Sequence, residues 1–162
     1  MRSFEDQLTD LVPVARAYAL VISRTRADAD DLLQDSLERA WKARDQFQPG
    51  TNLKAWLFTI LRNCHLNGWR SNRRLVEDPD GREAARLQSE PAQTWRVEYV
   101  EVLHAISRLE PESQSALMMV VAGLSYEETA EACGCPLRTV QSRVRRARAR
   151  LADFHVAVTA VG

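Results

Sequence analysis

No stretch of this chain is apolar over the roughly 20 residues that a membrane-crossing helix needs. Its opening residues, MRSFEDQL, lack the apolar core of a secretory signal, so a cytoplasmic protein without membrane insertion is expected. Cysteine is scarce. The three present, Cys64, Cys133 and Cys135, build no disulfide framework. Cys133 and Cys135 stand close together, but no second ligand pair is spaced to complete a tetrahedral site, so no metal is expected. There is no glycine loop to cradle a phosphate, and no nucleophile stands at a readable spacing from a base. Neither an enzyme nor a cofactor is expected. Strand alternation is missing as well; every periodic segment has the helical period, and the fold class read from it is all-α.

Net charge is also lacking: 22 basic side chains balance 22 acidic ones. The balance hides a segregation. Residues 1–50 carry seven basic and nine acidic groups, residues 51–75 five basic and none acidic, residues 76–136 four basic and twelve acidic, and residues 137–151 six basic and none acidic. Two cationic blocks separated by an acidic middle describe two binding surfaces for an anionic partner.

The strongest local pattern is LSYEETAEACGCPLRTVQSRVRRARARL, residues 124–151. Ser125 and Glu128 form a capping box that starts a helix. Gly134 supplies the left-handed residue that ends it, and Pro136 precedes a second helix. Val140, Val144, Ala147 and Leu151 make that helix's apolar stripe. Its other face carries Arg138, Thr139, Gln141, Ser142, Arg143, Arg145 and Arg146. An ordinary solvated face mixes signs, because like charges four apart repel. An all-cationic second helix after a tight turn is the pattern of helix-turn-helix DNA binding, with arginine on phosphates and guanine edges.

Upstream, residues 3–24 show a helical stripe of Phe4, Leu8, Leu11, Val12, Ala15, Tyr18, Ala19 and Ile22, where Pro13 either kinks the helix or restarts it. In residues 27–43 the apolar face is Ala29, Leu33, Leu37, Ala40 and Trp41, and Asp30, Asp31, Gln34, Asp35 and Glu38 lie largely on another. The acids suit the positive end of the helix dipole and a basic partner helix equally well. Residues 44–52 form a loop broken by Pro49-Gly50, with Thr51 or Asn52 as the next N-cap. The following helix buries Leu53, Trp56, Leu57, Ile60, Leu61 and Cys64, and carries Arg62, Asn63, Arg70, Arg73 and Arg74 with Trp69 among them. Cations interleaved with aromatics suit single-stranded nucleic acid; Trp56 belongs to the core stripe, and Trp69 fits either role. Two prolines, a glycine and many charges in residues 75–94 mark a flexible linker. The expected domains are residues 1–75 and 95–162, joined by residues 76–94. In the second, one helix runs from near Val97 past His104 to Ile106. Another starts at Pro111 and stops at Gly123, and the apolar tail HVAVTAVG frays or docks on a neighbour.

These residues resemble the extracytoplasmic-function sigma factors, promoter-recognition subunits of bacterial RNA polymerase, over nearly the whole chain. ADADDLLQD is similar to the segment with which that family grips the polymerase clamp, KAWLFTILRN to the segment that opens and reads the −10 element, and the helix-turn-helix to the module that reads the −35 element. RLVEDPDG and SYEETAEACGC are similar to the general-stress-response (EcfG-like) subgroup, in which an anti-sigma factor holds the sigma factor until a phosphorylated response regulator draws it off. The resemblance implies a region 2-like and a region 4-like helical domain, with core RNA polymerase, promoter DNA and an anti-sigma factor as partners. It assigns Asp31, Gln34 and Asp35 to the clamp and the loop Asp45–Thr51 to a base extruded from the non-template strand. Arg62, Asn63, Arg70 and Arg73 fall to the −10 strand, and Arg138, Thr139, Gln141, Ser142, Arg143, Arg145 and Arg146 to the −35 duplex. Arg138 stands where the family often has glycine. A sigma-like decoy that binds an anti-sigma protein without promoter recognition is the alternative; the retained arginines speak against it. A stand-alone dimeric repressor leaves the first domain unexplained.

Overall fold

The computed structural model describes residues 3–73 and 102–159, with side chains described over 3–68 and 102–153. The linker read at 76–94 and the Trp69, Arg70 and Arg73 side chains lie outside the described residues. Every described element is helical. The chain divides into two compact units, residues 1–87 and 88–162.

The first unit is built from α1 (Phe4–Ile22), α2 (Arg26–Lys42), a 3-10 turn over Arg44–Gln46, and α3 (Leu53–Arg73). Ser3 caps α1 through a capping box with Asp6, and Thr25 caps α2 by accepting from the Asp28 amide. Pro13 lies inside one continuous helix and does not restart it. The buried face of α2 consists of Ala29, Leu33, Ser36 and Ala40. Three of these four are small, so α2 comes close to its neighbours. The Ser36 hydroxyl, fully enclosed, donates to the Leu32 carbonyl at 2.7 Å and so leaves no buried donor unpaired. Trp41 therefore corrects the expected apolar face: it is 43% exposed, on the outer side of the helix. On α3 the buried residues are Leu53, Leu57, Phe58, Leu61 and Cys64, while Trp56 and Ile60 are half-buried. Phe58, absent from the expected stripe, is fully buried and meets the equally buried Tyr18 edge-on, with ring centroids 4.9 Å apart.

The second unit contains α4 (described over residues 102–107), α5 (Pro111–Val121), α6 (Tyr126–Cys133) and α7 (Leu137–Thr159). Pro111 opens α5, where its missing N–H removes no helix bond. From Ser113 to Met119 every residue of α5 is buried, which makes this helix the centre of the unit. The Ser125 and Glu128 capping box is formed in both directions, at 3.0 and 2.8 Å. Helix α6 ends in a Schellman motif: the Cys135 amide donates to Ala130 and the Gly134 amide to Glu131, both at 3.1 Å. Gly134 holds φ 60 there, a backbone angle that favours glycine. Helix α7 runs on past Leu151 to Thr159, so the first part of the apolar tail is helix.

Because Phe58 and Tyr18 close the core of the first unit, Phe58→Ala should destabilise that unit by about 3–5 kcal/mol. Denaturant unfolding of the full chain, followed by circular dichroism, reads this as an earlier transition of the first unit.

Candidate nucleic-acid interface

Helix α7 is held from one side. Val140, Val144 and Ala147 are essentially inaccessible and pack against α5 and α6. At roughly 100° per residue, Arg138, Ser142 and Arg145 stand opposite this stripe. Gln141 and Arg148 fall on one flank, and Thr139, Arg143, Arg146 and Arg150 on the other. Arg138, Gln141, Arg145 and Arg146 are exposed; Thr139, Ser142 and Arg143 are half-buried. Arg143 leans back toward the turn, its Nη1 donating to Cys135 Sγ at 3.7 Å. Arg146 and Arg150, one turn apart, line a shallow hollow with Leu109, Glu110 and Ser113 at the start of α5. No ion pair forms on α7 among the described residues. The structure therefore brings all seven predicted residues onto one continuous outer surface, and adds Arg148 and Arg150, both exposed. Their charge was visible in the sequence; only their place on the flanks was not.

The first unit offers two further surfaces. On α2, Asp31, Gln34 and Glu38 point away from the small-residue seam, with Asp35 beside them. Asp35 accepts from Arg39 Nε at 3.0 Å and Glu38 from Lys42 Nζ at 2.6 Å, two ladder pairs on the helix surface. Asp31 and Gln34 are exposed and make no ion pair or hydrogen bond among the described residues. Asp30, by contrast, is tied to Arg16 of α1 at 3.0 Å.

On α3, Asn63 is exposed and Arg62 half-buried, with its Nε enclosed and unpartnered among the described residues. Arg70 and Arg73 lie on the α3 backbone, two and three turns beyond. Beneath α2, burial pushes the Cys64 thiol up, so this cysteine is an unreactive core group. Burial also holds the His65 imidazole below its ordinary value, neutral near pH 7, one residue from Cys64 and two from Asn63.

The loop between α2 and α3 has its own scaffold. Arg44 Nη1 donates to the Trp41 carbonyl at 2.9 Å, and its guanidinium lies 4.8 Å from the Trp41 ring centroid. Phe47 meets Phe4 of α1 and Trp56 of α3 at 5.8 and 5.4 Å, and Phe4 meets Trp56 at 6.2 Å. Thr51 closes a turn onto Gln48 at 2.7 Å, and Asn52, not Thr51, caps α3 by accepting from the Ala55 amide at 3.2 Å. Asp45, Gln46 and Gln48 to Thr51 are exposed. Among the described residues no cluster could hold a metal ion, and no helix is long and apolar enough to cross a membrane.

Comparison with known proteins gives these surfaces a family context. Residues 7–75 match the family model of sigma-70 region 2, and residues 99–151 that of sigma-70 region 4. The chain is 47% identical over 150 residues to the ECF RNA polymerase sigma factor EcfG of Rhodopseudomonas palustris, covering 92% of this chain and 83% of that one. Among solved structures it is similar to the sigma factor RpoE of Bartonella quintana, crystallised with the anti-sigma factor NepR. The TM-score is 0.83 at 39% identity, over 93% of this chain and 95% of that one. CnrH, solved with the cytosolic domain of CnrY, shares the fold at a TM-score of 0.71 and 24% identity, over 95% of this chain and 88% of that one.

The half-buried neutral His65 sets a pH dependence. Its folded pKa is depressed, so on acidification the unfolded chain takes up the proton first, and stability falls as pH drops below the unfolded value of about 6.5. His65→Gln should therefore lose less melting temperature than the parent between about pH 7 and 5.5; parallel melting curves measure the difference.

Proposed function

The chain belongs to the extracytoplasmic-function sigma factors, of the EcfG-like kind, and from that premise we propose how its surfaces divide the work of starting transcription. As a sigma factor it binds core RNA polymerase and directs promoter recognition. It is a regulatory subunit without chemistry of its own, working in the cytoplasm where the polymerase is. The outer face of α2, through Asp31, Gln34 and Asp35, docks on the polymerase clamp. The loop Asp45–Thr51 receives a base extruded from the non-template strand, at an unstacking cost of a few kcal/mol. Arg62, Asn63, Arg70 and Arg73 along α3 hold that strand. Helix α7 enters the major groove of the −35 element. Gln141, Ser142 and Arg146 reach bases or nearby phosphates, and Arg138, Thr139, Arg143 and Arg145 lie mainly against the backbone.

The observation that carries this reading is the surface of α7: six arginines and no carboxylate over residues 137–151, held outward by a buried stripe. A folded protein retains such a surface when an anion completes it. The same surface disfavours the decoy alternative, which has no use for a duplex-binding helix. The likeness to the RpoE–NepR complex supports an anti-sigma protein as the partner that holds this factor in reserve.

In vitro transcription with core polymerase and a promoter library tests the whole assignment: a defined set of promoters should fire only when this chain is added. Arg146→Ala should weaken binding to the selected −35 duplex by about 1–3 kcal/mol if it reads a base, measured by fluorescence anisotropy; unchanged binding rejects that role. Replacing Asp31 and Asp35 together with Ala should lower holoenzyme yield in a core-polymerase pull-down while −35 duplex binding persists. Full core affinity would remove α2 from the clamp.

A further inference from the structure

Three rings from three separate elements meet at the base of the α2–α3 loop: Phe4 from the first turn of α1, Phe47 from the loop, and Trp56 from α3. Their centroids are 5.4 to 6.2 Å apart and their planes tilted or edge-on, within the range where aromatic pairs attract. All three are half-buried, so the triangle lies apart from the Tyr18–Phe58 core and under the exposed loop. The rest of the loop is tied to its own neighbours: Arg44 to Trp41, Thr51 to Gln48, Asn52 to the α3 N-terminus. Between Phe47 and Asn52 stand Gln48, Pro49, Gly50 and Thr51, exposed, with Gly50 at φ 91 turning the chain. Phe47 thus joins the loop's centre to both α1 and α3.

We propose that Phe4 is a positioning residue for promoter opening: through Phe47 it holds the Gln48–Thr51 tip in the conformation that receives the extruded base. This rests on the assignment of that loop to the non-template strand. An unstacked base is captured fast only by a receptor that is already ordered, because ordering the loop at the moment of capture subtracts from the binding free energy. Removing the Phe4 ring leaves Phe47 with one aromatic partner instead of two. The tip then samples more conformations while its own hydrogen bonds persist. None of the three rings belongs to the α2 outer face or to α7, so docking and −35 reading do not depend on them.

The test uses the full chain in holoenzyme, on a promoter that the parent protein drives. Opening is followed by the fluorescence of 2-aminopurine placed in the non-template strand of the −10 element. Phe4→Ala and Phe47→Ala should open this duplex about tenfold more slowly, the factor expected for one or two lost aromatic pairs. Core-polymerase affinity and −35 duplex binding should be those of the parent. On a template already mismatched across the −10 element the defect should largely vanish, and Phe4→Tyr, which keeps the ring, should open at the parental rate. An unchanged opening rate in Phe4→Ala overturns the proposal. So does a defect that is equal on the pre-opened template or comes with lost core affinity, because that pattern means a damaged first unit. If the parent protein drives no promoter at all, the assignment of the loop to DNA has failed, and this inference falls with it.

Discussion

A helix with six arginines and no carboxylate over fifteen residues repels itself. Arg146 and Arg150 stand one turn apart, as do Arg145 and Arg148, and each such pair costs a few tenths of a kcal/mol in an isolated helix. Propensity alone does not overcome this, since helices in water draw most of their stability from a packed face. In α7 that face is Val140, Val144 and Ala147, closed over by a central helix whose own residues are buried from Ser113 to Met119. The architecture of the second unit follows from this constraint. α5 is buried along that stretch so that α7 can be buried on only one side, and the Schellman turn at Gly134 delivers α7 at the angle that keeps its arginines outward. The uncompensated charge is then available to an anionic partner, and a polyanion adds the release of its own counterions on binding.

The first unit resolves the opposite charge differently. Along α2 three of the carboxylates are already paired. Asp35 and Glu38 are paired with Arg39 and Lys42 on the same helix, and Asp30 with Arg16 on its neighbour. Exposed pairs of this kind contribute little to stability and exchange partners cheaply. Docking against a cationic surface can therefore take over Asp35 without a large penalty, whereas Asp31 and Gln34 have no partner among the described residues to give up. The small-residue seam of Ala29, Ser36 and Ala40 makes this possible: packing close on its inner side, α2 leaves its whole polar surface, and Trp41, to the outside.

Much of this was legible in the sequence, and the failures have a common cause. The capping box at Ser125, the left-handed Gly134 and the Val140–Val144–Ala147 stripe are local signals, and each is found where its residue type requires it. A binary pattern weighs large apolar residues as core and so puts Trp41 inside, whereas α2 builds most of its core side from alanine and serine. Phe58 was missed for the converse reason. The α3 stripe is wide, and the residue that completes it is chosen by Tyr18, forty positions earlier, which no period in α3 records. Asn52 rather than Thr51 caps α3 because Thr51 is already committed to closing the turn onto Gln48.

At the candidate site the same division holds. That α7 carries an all-cationic outer face was readable from its charge; how its arginines differ from one another was not. Arg143 is drawn toward Cys135 and Arg146 stands with Arg150 beside the start of α5, so two residues of equal charge and similar position present different surfaces to a groove. The hydrogen bond to sulfur is weak and readily given up on binding, so Arg143 can swing to a phosphate at little cost. Arg146 and Arg150 line their hollow together with Glu110, so their charge is partly offset on the protein's own side. Counting arginines therefore misses that the side chains start from different surroundings, Arg143 against a sulfur and Arg146 and Arg150 beside a carboxylate.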